Sequence, residues 1–580
     1  MNLTSRFTYH YLFGEPRPNR SDLLKDIPSK YVIVVLSFIN NVLQQKGDVP
    51  KTQFYLFDSL TKHIDSTIKN ELLNKISSKI QSNQYVLFEY PTTVEFVNRE
   101  LINYRDGSLE ITIELSIAEL NILKAYVALI DETNERDVHN NQKEVEKAKL
   151  NEEGVKKLMW PHLIRQLEFV NRADAIYELL KGKALLIFLE NHPKYSQPTI
   201  KYFQNIGYQS GLDYLNRLEF LLSKSLVQKP SADPNDFNFI IGTEDHQHFL
   251  EYLSLDQEEI SSNTDKQIGY SGLKEKPIFK LFSNGYIVPF WDYLYNALFI
   301  GLISSVYNNS EINLVDKNFG DFKSTLGKEF SEQILFRKLM QKSFTRMHEC
   351  LLFFDDDKNT FTPDCYYRRK NDIFIIEFKD NILKGSVIQS GSYEKIRESI
   401  YEKFVEAQNG DKLKKKGILQ LRRNIKLLEN NEDLFHSIDK DAKSKKLKLR
   451  NMTIYPIIVH ANNYFDLPGL NNYLEEILCN DINNGQNNFR LIKPITVVNL
   501  YYFYKRIQLF SYSKIQLSDE LDFYHETIKG NREKWKKSEN INDWFNSLSP
   551  FGNNSPAVIE NATHKLGEFM REISSCWGIA

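Results

Sequence analysis

The chain is poor in cysteine and nearly neutral, and no stretch of it reads as a signal peptide or a membrane span. Its four cysteines, Cys350, Cys365, Cys479 and Cys576, are scattered over 580 residues with no CxxC pair. That spacing argues against a zinc ribbon and a disulfide framework, and fits a reducing, cytoplasmic compartment. A net charge of −2 leaves no uniformly basic surface, so any surface for nucleic acid must be local. The opening MNLTSRFTYHYLFGEP has no basic flank leading into a long apolar run, so no signal peptide is read. Residues 287–307 come nearest to a membrane span, but Pro289, Asp292 and Asn296 interrupt them and no Lys/Arg cluster flanks them. A buried helix, and no membrane, is the expectation. No GxxxxGK[ST] loop occurs, so ATP-driven translocation is not built in. No repeat period or long low-complexity tract is visible.

What is present is the composition of a globular protein, 41% hydrophobic and 26% charged. The length predicts roughly two or three domains. Residues 1–310 read as mainly helical. Apolar residues recur at helical spacing over 31–43 and 54–80, whereas 85–97 and 109–115 read as extended, the second through alternating Leu109, Ile111, Ile113 and Leu115. Residues 131–154 are a charged helix or linker, 160–227 return to long amphipathic helices with Gly207 and Gly211 near a turn, and SADPND at 231–236 is a loop. Beyond 308 the order becomes helix (324–340), hairpin (351–380), helices (393–406, 417–428), strand (454–459), a helix opened by Pro468, and strand (492–500). This order predicts an α/β fold, α+β overall, with a mixed sheet flanked by helices. The segments are a helical N-terminal region at 1–310 for specificity, regulation or assembly, a mixed domain at 311–545, and a tail or helix at 546–580.

The informative stretch is LLFFDDDKNTFTPDCYYRRKNDIFIIEFKD, from Leu351 to Asp380. Ile373, Phe374, Ile375 and Ile376 are apolar on both faces, as in a strand buried within a sheet. That strand ends in Glu377-Phe378-Lys379, and Asp364 of a Pro363-Asp364 pair stands thirteen residues before the glutamate. Charges there are costly unless paired or holding a cation. Alternation puts Glu377 and Lys379 on one face and turns Phe378 into the core. Two carboxylates beside an ammonium suit divalent metal binding and water activation.

On Pro363, Asp364, Glu377 and Lys379, in this order and in a hairpin, residues 324–500 resemble the PD-(D/E)XK nuclease superfamily, with its restriction-endonuclease-like fold. The resemblance makes 311–545 a nuclease domain. It implies that Asp364 and Glu377 bind Mg²⁺ or Mn²⁺ with help from the Phe378 carbonyl, while Lys379 orients or deprotonates the attacking water. It also implies an acidic residue on the preceding helix, for which LGKEFSEQILFRKLM offers Glu329 and Glu332. Glu332 is preferred, because Leu335 and Leu339 at i+3 and i+7 place it at the edge of a core-facing stripe. Acidic-x-Lys triplets alone carry little weight: Asp321 with Lys323 and Asp441 with Lys443 match without a buried strand leading in.

Downstream, KKKGILQLRRN places Gln420 and Arg423 at i and i+3 on one helical face, where they could contact a phosphate. Residues 384–450 hold 17 Lys/Arg against 10 Asp/Glu, so basic charge gathers beside the expected centre. Lys414, Lys415 and Lys416 are read as nucleic-acid contacts; for 443–450 a solvated surface competes equally. Asp355, Asp356 and Asp357 read as a polar hairpin turn and Cys365 as packing. Glu244, Asp245, His246 and His248 form a weak metal pattern, and Trp291, Tyr293 and Tyr295 read as core.

The expectation is a Mg²⁺-dependent deoxyribonuclease, DNA being favoured as partner. A ribonuclease with the same site and an inactive nucleic-acid-binding or scaffold subunit stay open. By analogy of architecture it is an effector of prokaryotic anti-phage or restriction systems, with a homodimer or an accessory defence subunit as protein partners.

Overall fold

The computed structural model describes residues 5–579 except 83–84, 106–108, 148–151, 170–173, 228–238, 242–243, 256–272, 345, 347–348, 355–360, 410–411, 430, 483–487, 539–545 and 553–565. SADPND and the three aspartates Asp355 to Asp357 lie outside the described residues. The chain forms two units, one of Asn141–Glu168 with Asp316–Ala580 and one of Asn2–Asn140 with Phe169–Val315. No helix among the described residues is long and apolar enough to cross a membrane.

The second unit is mainly helical. Helix Ser29–Lys46 buries Val32, Ile33, Leu36 and Ile39, and packs against helix Tyr90–Ile102. Residues 85–97, read as extended, keep a strand only at Tyr85–Val86. Pro91 in the first turn then opens a helix whose β-branched Thr92, Thr93, Val94 and Val97 are all buried, so packing overrides their strand preference. The alternation at 109–115 forms no strand: helix Leu115–Lys147 begins at its end, and Ile111 and Ile113 pack half-buried on the core instead. Residues 287–307 are not one helix. Strand Gly285–Ile287 closes a four-stranded sheet, and after Pro289 two short helices follow, Trp291–Asn296 and Ile300–Asn309. Trp291, Tyr293 and Tyr295 are buried.

The first unit carries a mixed α/β sheet. Its strands are β1 (Glu349–Leu352), β2 (Cys365–Arg369), β3 (Asp372–Lys379), β6 (Thr453–His460), β7 (Leu491–Ile492) and β8 (Thr496–Asn499); β4 (Glu406–Asn409) and β5 (Lys412–Lys415) form a separate hairpin. β1, β2 and β3 are antiparallel, β6 runs parallel to β3, and β7 and β8 follow one another along the far edge of β6. The strand expected at 492–500 is therefore two strands, because Pro494 lacks the N–H that a continuous ladder needs, and residue 500 already begins helix Leu500–Ser511. On one face Tyr367, Phe374 and Tyr455 stack across β2, β3 and β6, with centroids 5.1 and 4.8 Å apart. On the other lie helices α3 (Tyr393–Phe404), α4 (Gly417–Glu429) and α5 (Leu470–Ile482).

Two helices from distant sequence complete this unit. Helix α1 (Glu152–Phe169) sends Met159, Trp160, Leu163 and Ile164 into the sheet's core, and the Trp160 indole donates to the Pro468 carbonyl at 2.7 Å. Helix Leu566–Trp577 buries Ile573 and Trp577, whose indole donates to the Leu335 carbonyl at 3.3 Å. Leu335 belongs to α2 (Leu326–Arg337), the middle of the helix expected at 324–340, which is wound as a π-helix.

Candidate active site

The β2–β3 register pairs Cys365 with Ile376, which brings Asp364, one residue before β2, alongside Glu377 at the end of β3. Asp364 Oδ2 accepts the Phe378 amide at 2.6 Å. Lys379 Nζ donates to Glu377 Oε2 at 3.1 Å and stands 3.5 Å from Asp364 Oδ2. One ammonium thus serves two carboxylates. Glu377 is fully buried, and its carboxyl is pushed well up, by burial first and then by the Asp364 charge. Burial alone would lower the Lys379 ammonium; Asp364 and Glu377 outweigh it and hold the proton on. Phe378 turns the other way, stacked on Phe336 of α2 at 4.8 Å.

Glu332 projects from α2 within electrostatic reach of this group. Its carboxyl is pushed up by burial and then by Asp364, and Arg337 Nη2 donates to Glu332 Oε1 at 3.0 Å. The pair is spaced i, i+5. In an α-helix those positions lie some 140° apart (about 100° per residue), whereas the π-turn's i→i+5 repeat stacks them. Arg337 also donates to the Phe354 carbonyl at 3.1 Å, tying α2 to the loop after β1. The sequence stripe that favoured Glu332 assumed α spacing, so the π winding is what the sequence did not reveal.

Asn424 of α4 was missed. It is fully buried, its Nδ2 donates to Glu377 Oε1 at 3.3 Å, and its Oδ1 accepts the Thr362 amide at 3.2 Å. Glu377 is thereby fixed from both sides, by Lys379 on one oxygen and Asn424 on the other. The available signal was a single amide within the apolar stripe Leu421, Ile425 and Leu428. Gln420 lies one turn earlier, half-buried, and its side chain makes no hydrogen bond among the described residues. Arg423 Nη2 donates to Thr362 Oγ1 at 3.0 Å and so braces the segment that carries Asp364.

Lys414 and Lys415 sit exposed on strand β5, and Lys416 is half-buried at the junction with α4. Cys365 is a buried packing residue whose thiol burial pushes well up. His248 places Nε2 3.0 Å from the Ile206 carbonyl; the side chains of Glu244, Asp245 and His246 lie outside the described residues. No group of three or more His, Cys, Asp or Glu side chains is set for a metal ion among the described residues. Asp364 and Glu377 nevertheless fit Mg²⁺ or Mn²⁺ by donor chemistry: two hard-oxygen ligands, one of them buried and resisting ionisation, share a single cation. Comparison of the chain with protein-family models, with curated proteins and with solved structures finds no match.

Proposed function

We propose that the sheet-bearing unit is a metal-dependent nuclease that hydrolyses phosphodiester bonds, with DNA as the favoured substrate. The observation that carries this reading is the approach of Lys379 to both Asp364 and Glu377 at a buried strand end. Two carboxylates crowded on one ammonium carry an electrostatic cost that a bound divalent ion relieves. Asp364, Glu377 and the Phe378 carbonyl would hold Mg²⁺ or Mn²⁺, which when bound would supply a water of lowered pKa and a Lewis acid for the phosphoryl oxygen.

The chain's own residues divide the remaining work. Asn424 and Lys379 fix the Glu377 carboxylate in one orientation. The Phe378 amide does the same for Asp364. Lys379, held protonated, places an ammonium where negative charge accumulates on the scissile phosphate and orients the attacking water through an N–H. Glu332, a carboxyl that burial inclines to hold a proton, stands ready to exchange one with water once Arg337 releases it.

The test is incubation of wild-type and Asp364→Asn protein with supercoiled plasmid, single-stranded DNA and RNA in Mg²⁺. Cleavage of DNA by wild type alone is the expected result; intact substrates throughout, with and without candidate partners, would sink the reading. An anti-phage role adds one expectation, that protection of bacteria from phage is abolished by Lys379→Ala.

A further inference from the structure

Beside the carboxylates lies a corner where lysines from separate segments are drawn together by the backbone. Asn381, two residues past Lys379, donates from Nδ2 to the Lys403 carbonyl at the end of α3, at 3.2 Å. The Lys416 amide donates to the Val405 carbonyl at 2.7 Å. Gly417, first residue of α4, packs so closely that a methyl there would stand 2.7 Å from the Phe404 carbonyl oxygen and 3.6 Å from Lys379 Cε. These links set Lys416 beside Lys379, and Lys403 beside Lys416.

Neither Lys403 nor Lys416 forms an ion pair with a carboxylate among the described residues, although both are half-buried. Burial and the Lys416 charge lower the Lys403 ammonium, opposed by exposed Glu402 and reinforced by Lys384. Burial, Lys414 and Lys379 do the same to Lys416, again opposed by Glu402. Solvated surface lysines do not behave this way: they spread apart or take a carboxylate. The first turn of α4 adds main-chain N–H groups and the positive end of its dipole at the same corner. Repelling, half-desolvated cations gain most from an anion that carries several acceptor oxygens.

We propose that Lys403 and Lys416, with Lys384 at the rim, bind a phosphate group of the nucleic acid next to the one that is cleaved. This rests on the nuclease reading of Asp364, Glu377 and Lys379, and it specifies the substrate class: a polynucleotide held through at least one phosphate besides the scissile one, rather than a lone small phosphodiester. The phosphate is either the neighbouring diester or a terminal monoester.

Fluorescence anisotropy of a labelled single-stranded oligonucleotide in EDTA, over a range of salt, reads the site without turnover. Lys403→Met with Lys416→Met is expected to flatten the plot of log K against log salt by about 0.7 for each phosphate that is no longer neutralised. The charge-keeping Lys403→Arg with Lys416→Arg, and the exposed pair Lys536→Met with Lys537→Met on another helix, are expected to keep the wild-type slope. Thermal unfolding verifies that each variant is folded, and the arginine variant carries the test if the methionine variant is not. An unchanged slope in the folded methionine variant, or a flattened slope in the folded arginine variant, overturns the proposal. Oligonucleotides with a 5′-phosphate and a 5′-hydroxyl separate the sources: a preference for the phosphorylated end that the methionine variant loses assigns a terminal monoester, and equal affinities with a flattened slope assign the neighbouring diester. Cleavage in Mg²⁺ that depends on Asp364, with an unchanged slope, leaves the nuclease standing and removes this site. A flattened slope without cleavage by wild type does the reverse.

Discussion

At the turn end of the β2–β3 hairpin, Arg368 meets Asp439 and Asp441; at its open end, Asp364 and Glu377 face Lys379. Both clusters are ionic and each is anchored by a fully buried carboxylate, Asp439 or Glu377, yet they are satisfied differently. Asp439 accepts from Arg368 Nε, from Arg368 Nη2 at 3.2 Å, from the Tyr366 hydroxyl at 3.1 Å and from the Ala442 amide at 2.8 Å. That fills the roughly four lone-pair sites of a carboxylate. Asp441 takes Arg368 at 2.7 Å and Lys445 at 2.9 Å. At the open end Glu377 has Asn424, Lys379 and a hydrogen bond shared with the Asp364 carboxyl, and Asp364 otherwise has the Phe378 amide with Lys379 farther off. A saturated carboxylate has no lone pair left for a ligand, whereas an under-satisfied pair sharing one cation keeps both the lone pairs and the charge to attract one.

The comparison breaks most visibly in activity. Asp364→Asn is expected to lower DNA cleavage by about a thousandfold or more while the urea midpoint holds or rises, since a charge crowding Glu377 is removed. A nicking assay on supercoiled plasmid reads the first and equilibrium unfolding the second; undiminished cleavage would place the open end with the structural pairs. Arg368→Met should give the opposite pattern. Stranding Asp439 without its guanidinium is expected to destabilise by roughly 3–5 kcal/mol, with the rate per folded molecule retained. A loss under 1 kcal/mol (roughly the worth of an exposed pair) would end its assignment as a structural keystone.

His525 supplies a control on the satisfied side. Its Nε2 lies 2.9 Å from the Thr496 hydroxyl of β8, and burial pushes the imidazole down from 6.5 to about 4, with Asp522 opposing. The unfolded chain therefore takes up the proton first as pH falls. Stability is complete above pH 6.5 and is lost towards pH 4, by up to about 3 kcal/mol. Urea titrations between these limits should show that slope in wild type and a flatter one in His525→Gln, with cleavage at neutral pH unaffected. A slope that persists in the variant assigns the acid sensitivity elsewhere.

Metal should divide the two ends next. At a hundredfold excess over its dissociation constant, Mg²⁺ is expected to add about 2.7 kcal/mol of stability, removed by chelator. The gain should survive in folded Arg368→Met and vanish in Asp364→Asn; equal gains in both would mean that the ion binds elsewhere. The smallest effect is expected from Asn424→Ala. It frees one Glu377 oxygen without touching charge, and should slow cleavage roughly tenfold with substrate affinity unchanged.

Much of the sheet was legible because it is written in local pattern. The apolar run at Ile373 to Ile376 reads as an interior strand and is one, whereas the turn at Lys370 and Asn371 that joins it to β2, with Lys370 at φ 52°, was not read from the sequence. What failed did so for lack of partners in the sequence. Leu109 to Leu115 alternates like a strand but meets no ladder, and 85–97 carries strand-forming residues that Pro91 and burial turn into helix. Asn424 was invisible as a site residue because a buried amide gains meaning only when its acceptor is known. Lys403 and Lys384 were hidden in a basic count that does not say which charges lack a carboxylate.

The sequence by itself determined that a buried strand ends in Glu377 and Lys379 with Asp364 upstream, since burial and alternation are properties of neighbouring residues. The tertiary structure decided the rest. Strand register brought Asp364 within reach of Lys379, π winding aligned Glu332 with Arg337, and helix α4 delivered Asn424 and the Lys416 corner to the same strand end. These are contacts between segments far apart in the chain, such as Asn424 with Glu377 at a separation of 47. No local preference encodes them, because their energy exists only once the chain has closed those loops.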